Sequence, residues 1–365
     1  MHGPRGEFDR EWNSQNKNVV KTPQLGLSAV AMAMLARTAT QQRLHIDGAR
    51  ITVGKLIGEG ASGRVYAGVW LPGGTVRRDV ALKTVPQVAG LPPDSPARAK
   101  VAAEIRIMQL ASERCGAGAC ELLGTTELSP APGAPLCFCI VMKLYDGGSL
   151  ADLLEKEGPL ERARATRYAA QLCRAVAKLH RSEEHGGAGI LLRDIKPQNV
   201  LLDDETDALA VADFGISHLL THTAYVPTSA AGTFNYMAPE AINQELGEIG
   251  RGSDVWSLGC VLGQLFGAPM PFAGDNIMQM IMKVVMQRRV PAVPDDAPRC
   301  ALLRRCFAYD AAERPSAAEL CGAFTPDTAP RECELCFEEF ALSAGSLCDS
   351  SVAVRRCLRG TLPLS

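Results

Sequence analysis

Aromatic residues are scarce, at 5% of 365, and neither charge sign dominates: 38 Lys and Arg face 40 Asp and Glu, for a formal net charge of -2. Nucleic-acid binding calls for a basic surplus, so no nucleic-acid partner is expected. Long apolar runs are missing too. The longest, Leu25 to Ala36, has about half of the roughly 20 residues that a bilayer requires, so no membrane span is expected. That run reads as a short helix, docked or targeting. Met1 to Lys21 is polar and shows no signal peptide, and its Glu7, Asp9 and Glu11 argue against a mitochondrial presequence. Residues 1–50 read as an N-terminal extension, disordered or loosely docked.

Cysteine, by contrast, is plentiful at 13 residues. Several lie in apolar stretches such as Leu136-Cys137-Phe138-Cys139-Ile140, where Cys behaves as a small buried hydrophobe. Reduced thiols are the default reading, which places the chain in the cytoplasm or the nucleus. With 47% hydrophobic and 21% charged residues, most of the chain should fold, and its length allows two lobes plus tails.

One stretch organises the rest: Leu191-Leu192-Arg193-Asp194-Ile195-Lys196-Pro197-Gln198-Asn199-Val200-Leu201-Leu202. Pro197 enforces a turn before a short buried strand. Asp194, Lys196 and Asn199 can then point at one small volume. An acid, a cation and a metal-ligating amide suit phosphoryl transfer, although an ordinary polar turn would look similar on these residues alone.

Upstream, Ile57-Gly58-Glu59-Gly60-Ala61-Ser62-Gly63 sits between two strand-like runs. A glycine pattern of this spacing also opens dinucleotide-binding helices. Here Val65 to Trp70 alternates and is β-branched and aromatic, which favours a hairpin. Asp79-Val80-Ala81-Leu82-Lys83 is an apolar strand ending in a lysine, ordinarily a solvated strand end. Ala97 to Ser112 has helical periodicity, with Val101, Ile105, Met108 and either Ile107 or Leu110 inward and Glu104 beside the stripe. Two strands follow, at Glu121 to Thr126 and Leu136 to Met142. The break at Tyr145 to Ser149 divides a strand-rich first lobe from a helical second one. Helices are expected over Glu161 to Arg181, Asp254 to Leu262, Asn276 to Gln287 and Ala297 to Ala308. Asp254 is suited to hydrogen-bonding loop backbone. The strand Ala208 to Ala212 delivers Asp213-Phe214-Gly215.

With these stretches in order, residues 51–324 resemble a eukaryotic protein kinase. The resemblance rests on the glycine loop, Val80 to Lys83, a helix Glu, Arg193-Asp194 to Asn199, Asp213-Phe214-Gly215 and Ala238-Pro239-Glu240. It implies an α+β bilobal fold, with a small antiparallel-sheet N-lobe (51–145) and a mainly helical C-lobe (146–324). It also implies ATP and Mg2+. Gly58, Gly60 and Gly63 would cover the phosphates, and Lys83, held by Glu104, would bind two of them. Asn199 and Asp213 would hold magnesium. Asp194 would orient and deprotonate the substrate hydroxyl, with Lys196 at the γ-phosphate. Val65, Ala81 and Leu201 would sandwich adenine. Backbone groups of Lys143 and Tyr145 would meet its edge, and Met142 would guard the back. Ile57 and Ser149 complete the implied nucleotide set, and Glu240 would pair with Arg314.

Lys196 and Gly232-Thr233 are similar to serine/threonine kinases, and Ile51 to Gly58 with Val69-Trp70 to their tyrosine-kinase-like group. Leu192 replaces the usual His but keeps apolar packing with Phe214 and Met108. Arg193 is suited to pairing with a phosphate on Thr228 or Ser229, which implies an activating kinase as partner beside protein substrates. A pseudokinase or scaffold is the competing reading, supported by Leu192 and the tail.

In residues 325–365, Cys333 and Cys336 begin a segment that also holds Cys348 and Cys357 and resembles the opening of a RING-like zinc module. One zinc site closed by these four cysteines is one reading. The preferred one is a metal-free remnant, and a ubiquitin-ligase-like adaptor would need a complete double zinc module.

Overall fold

The computed structural model describes residues 44–60, 63–85, 90–92, 95–181, 189–214, 218–219 and 231–325. Thr228, Ser229, Gly215, the N-terminal extension up to residue 43, and Cys333, Cys336, Cys348 and Cys357 lie outside the described residues. Two compact units emerge, one built on a five-stranded sheet and the other mainly on helices.

The sheet unit comprises residues 44–59, 63–85, 90 and 123–142. Its strands are β1 (Ile51–Gly60), β2 (Gly63–Trp70), β3 (Arg78–Val85), β4 (Leu122–Leu128) and β5 (Cys137–Lys143), in the order β1-β2-β3-β5-β4. Strands β2 and β3 are antiparallel, with Val65 opposite Lys83 and Ala67 opposite Ala81. The turn between them passes through Gly73 and Gly74 at φ 68° and 87°, values that favour glycine. Ile46, Val80, Leu82 and Val141 form one apolar core, covered by Ile51, Val53, Tyr66, Trp70 and Leu123.

The helical unit holds the remaining described residues. Its first helix, α1 (Pro96–Cys115), starts at an N-cap Ser95 with Pro96 in the first turn, where a missing N–H costs nothing. It buries Val101, Ile107, Met108, Ala111 and Cys115, so Ile107 and not Leu110 takes the inward place, while Ile105 is half-buried. Next come α2 (Leu150–Glu157), α3 (Arg162–His180), the two-residue β6 (Ile190–Leu191), and β7 (Val200–Asp203) paired antiparallel with β8 (Ala208–Val211). After β9 (His218–Leu219) come α4 (Pro239–Ile242), α5 (Arg251–Leu265), α6 (Ile277–Ile281), α7 (Cys300–Arg305) and α8 (Ala317–Phe324). Helix α5 is buried almost all round. A Cβ at Gly259 would stand 2.6 Å from that of Cys306, so only glycine lets the two segments approach this closely.

Two expected helices are shorter in the fold. The one expected over 297–308 begins only at Cys300, because Pro298 disfavours helical backbone at the residue before it and Arg299 is left-handed at φ 58°. The one expected over 276–287 is α-helical to Ile281 and continues as a π turn, Met282–Met286. All nine described cysteines are free and seven are buried. Burial pushes the Cys139 thiol up to about 12, as befits a small hydrophobe rather than a nucleophile.

Candidate active site

The loop after β6 is clamped from within. Asp254, in the first turn of α5 and 1% exposed, accepts hydrogen bonds from the backbone N–H of Leu192 (2.9 Å) and of Arg193 (2.7 Å). His180 at the end of α3 lies with Nε2 2.8 Å from the same carboxylate. Arg193 takes a left-handed backbone, φ 63°, a conformation uncommon outside glycine. Leu192, Phe214 and Met108 are all buried.

At the other end of the loop, three polar side chains converge. Lys196 Nζ donates to Asp194 Oδ2 at 2.7 Å. Asn199 Nδ2 donates to the same oxygen and to the Asp194 backbone carbonyl, each at 3.0 Å. Asp194 Oδ1, also buried, has no hydrogen-bond partner. Burial raises the Asp194 pKa above the ordinary carboxylate value; Lys196 and Asn199 pull it down and the charge of Asp213 adds to the rise. Asn199 closes the short helical turn Pro197–Asn199, and its carbonyl accepts the Ala212 N–H at 2.8 Å. This bond ties the end of β8 to the loop one residue before Asp213. Asp213 is left-handed too, φ 55°.

Strand β7 is hydrogen-bonded on both edges: to β8, and through Leu202 N–H to the Gly148 carbonyl (2.9 Å) and Gly147 N–H to the Leu202 carbonyl (3.1 Å). This places Ser149 opposite Leu201. The Ser149 hydroxyl donates to Asp152 (2.6 Å) and accepts its N–H (3.2 Å), so it caps α2. The Lys143 N–H is taken by the Glu121 carbonyl at 3.0 Å. The Lys143 ammonium pairs with Asp203 and lies 5.2 Å from the centre of the Tyr145 ring. The Tyr145 hydroxyl accepts the Glu121 N–H at 3.3 Å.

In the sheet unit, β1 is mostly exposed and Ile57 is 44% exposed. Gly60 ends this strand and Gly58 lies beside Val65. Gly63 has φ 130°, and a Cβ there would stand 2.1 Å from the Thr84 carbonyl oxygen, so this position requires glycine. Ala81 and Lys83 are buried in β3 and Met142 is half-buried in β5. Glu104 is half-buried on α1 in the helical unit.

The expected pair of Glu240 and Arg314 is present, at 2.6 and 2.9 Å in fork geometry. Ser253 also donates to Glu240, and Arg314 reaches the carbonyls of Ala308 and Gly252. Sequence reasoning missed His180 and Asp203. The only signal for His180 was its place at the end of an amphipathic helix, and Asp203, one residue past the expected strand, carried none. Among the described residues, no three or more His, Cys, Asp or Glu gather as a metal cage. No helix among them is long and apolar enough to cross a membrane.

Residues 51–323 match the protein kinase domain, and the chain belongs to that family. It is 30% identical over 190 residues to mitogen-activated protein kinase kinase 1 of Arabidopsis thaliana, covering 50% of this chain and 51% of the relative. It is 30% identical over 286 residues to the mitogen-activated protein kinase kinase kinase bck1 of Aspergillus fumigatus, covering 74% and 17%. Against the serine/threonine-protein kinase PknB of Mycolicibacterium smegmatis it is 36% identical over 163 residues, covering 44% and 24%. The chain thus spans about half the length of the first of these relatives, and less of the other two.

Proposed function

We propose that this protein is a serine/threonine protein kinase, transferring the γ-phosphoryl group of ATP to protein hydroxyls. The observation that carries the reading is Asp194: a buried carboxylate with one oxygen held by Lys196 and Asn199 and the other unpaired. A fixed carboxylate with one open oxygen is suited to accept a proton from a serine or threonine hydroxyl. As the hydroxyl oxygen bonds to the γ-phosphorus, its proton passes to Asp194 Oδ1. The bond from that phosphorus to the bridging oxygen breaks, and its electron pair leaves with ADP.

The donor set fits a magnesium ion. The Asn199 side-chain Nδ2 donates to Asp194, which leaves the side-chain oxygen Oδ1 as a hard ligand of the kind magnesium takes. Asp213 supplies the carboxylate. When bound, the ion offsets the charge on the phosphates. Lys196 neutralises the γ-phosphate, Lys83 takes the other phosphates, and the backbone of Gly58, Gly60 and Gly63 covers them. Ile57 belongs to the nucleotide set, and Val65, Ala81 and Leu201 are the residues that contact adenine. The Lys143 carbonyl and Tyr145 N–H meet its edge, with Met142 behind, and Ser149 faces the ribose. The family membership supports these placements.

Leu192 keeps a buried apolar position, which favours an active enzyme over a pseudokinase. The subgroup we infer is the tyrosine-kinase-like one, the location cytoplasmic, and phosphorylation at Thr228 or Ser229, read by Arg193, activating. The deciding experiment is phosphate transfer by the purified chain to a Ser/Thr peptide library, beside Asp194→Asn. Incorporation is expected only in the parent, and equal incorporation by both would defeat the reading. Zinc analysis of the chain and its Cys333→Ser/Cys336→Ser variant decides the tail: unchanged stoichiometry excludes a site there.

A further inference from the structure

Half of the large apolar side chains that are exposed among the described residues stand between Met270 and Val290. Within this stretch, α6 and the π turn after it bury Met280 and Val284, and the Tyr309 hydroxyl donates to the Val284 carbonyl. The outward face, where polar residues would be ordinary, carries Met278, Met282 and Met286, exposed by 68%, 46% and 69%. A four-residue step overshoots the 3.6 residues of an α turn, so such a stripe drifts round a continuous α-helix. The wider turn, closed by the Gln287 N–H on the Met282 carbonyl at 3.0 Å, takes up that drift and keeps Met286 in line with Met278. Turns of this kind are rare and recur at functional sites, and contiguous exposed apolar patches mark interaction surfaces.

The chemistry of the stripe selects its occupant. Thioethers adapt to irregular partners and pack favourably against aromatic rings. Beyond Met286, Arg288 lies over the Tyr309 ring, whereas Arg289 is exposed and forms no ion pair among the described residues. An aromatic segment flanked by acid fits this surface. The chain itself contains one, Glu332-Cys333-Glu334-Leu335-Cys336-Phe337-Glu338-Glu339-Phe340. Cys333, Cys336, Phe337 and Phe340 follow the i, i+3, i+4, i+7 spacing of a helix face. Glu338 and Glu339 stand between the two phenylalanines in sequence, and Leu335 falls off the stripe. As a helix, that face would span roughly 10 Å, against roughly 12 Å from Met278 to Met286.

The tether is long enough. The Phe324 ring stacks on Phe266 at 5.7 Å, and Phe266 precedes Met278 by 12 residues. Even as open coil, a stretch of that length spans only roughly 20 Å, and turns at Gly267, Ala273 and Asp275 fold this one back. From Phe324 to Cys333, an extended chain reaches roughly 31 Å. We propose that the stripe of Met278, Met282 and Met286 is the docking face of the chain's own segment Glu332–Phe340, phenylalanines against thioethers and Glu338 and Glu339 against Arg289. Tethering holds the segment at millimolar local concentration, so weak contacts suffice.

Peroxide footprinting of the full chain tests it, because thioether oxidation follows exposure. Under hydrogen peroxide, Met278 and Met286 are expected to oxidise roughly ten-fold faster in Phe337→Ser/Phe340→Ser than in the parent. Met270, off the stripe, and the buried Met280 should not change, which controls for general access and for unfolding. Glu338→Lys/Glu339→Lys should speed oxidation about three-fold, the worth of a surface charge pair, and Arg289→Glu on that background should restore the parent rate. Both tail variants leave residues 51–323, the kinase domain, untouched. Equal oxidation of the stripe in the parent and the phenylalanine variant overturns the proposal, as does protection that survives Glu338→Lys/Glu339→Lys in full. Protection that grows with protein concentration would assign the stripe to a second copy. Protection lost with a chelator would assign the order of the tail to zinc, and protection seen only with an added protein substrate would assign the stripe to that substrate. Each of these three outcomes overturns docking of the tail.

Discussion

Two buried carboxylates in the helical unit are treated in opposite ways. Glu240 is 2% exposed, and both of its oxygens are taken up, by Arg314 and Ser253. Arg314 in turn is satisfied by backbone carbonyls and lies over the ring of Trp256. Asp194 is less deeply placed, its side chain 11% exposed, yet one of its oxygens is left without a partner and burial raises its pKa. A saturated buried charge can only hold structure in place. One left half-saturated stores the capacity to accept a proton, and leaving a buried acceptor unpaired costs about 1–3 kcal/mol. The difference teaches where structure ends and chemistry begins in this fold.

The largest expected effect separates the two carboxylates by readout. Asp194→Asn should cut phosphoryl transfer by roughly 10²–10⁴-fold, the span of general-base catalysis, while the denaturation midpoint holds. In the parent the raised Asp194 pKa sets the acid side of the rate profile. Activity should fade on acidification at a higher pH than an ordinary carboxylate gives, and Lys196→Met should move that limb further up. A limb unmoved in Lys196→Met would show that another group sets it. Glu240→Ala should do the reverse. Stripping one partner from a buried ion pair destabilises by about 3–5 kcal/mol, read in urea, and a loss below 1 kcal/mol would break the comparison.

Smaller effects sharpen it. Ser149 can serve as cap, as ribose contact, or as both. Ser149→Ala should cost about 1 kcal/mol as a lost N-cap, and a KM for ATP that rises without loss of stability would assign the hydroxyl to the nucleotide. The smallest concerns Lys143 and Asp203, whose lysine is about a third exposed at 35%. Lys143→Met should lower stability by less than about 1 kcal/mol near neutrality, after solvent screening. The Lys143 hydrogen bond holds the Asp203 pKa below its ordinary 3.8. The pair's stabilisation is therefore present above that value and lost as pH falls through the lowered one. Parent and variant should converge in stability at acid pH, and a gap that persists there would remove the charge from the account.

Strands β2 and β3, helix α3 and helix α5 were legible because each has a period or an unbroken apolar run long enough to specify one conformation. The loop from Leu191 to Leu202 was legible for another reason: acid, lysine and amide sit so close in sequence that folding has little freedom to separate them. The helix over 297–308 was overextended because its apolar spacing concealed the effect of Pro298. At 276–287 the apolar spacing is consistent with either an α turn or a π turn, so it could not reveal the change at Met282. His180 was illegible because its partner Asp254 lies 74 residues away, and no local pattern announces a contact at that range.

By itself, the sequence determined which chemistry is present, because Asp194, Lys196 and Asn199 are joined by a few bonds of chain and their side chains share a volume in any compact turn. Where glycine is obligatory, at Gly63 against the Thr84 carbonyl and at Gly259 against Cys306, was decided by tertiary contact. Only the tertiary structure decided that Asp254 grips the loop by its backbone N–H groups. It alone decided that one oxygen of Asp194 stays unpaired. Those are matters of burial and partner choice across dozens of residues, set by how the helical unit packs and written in no single stretch of the chain.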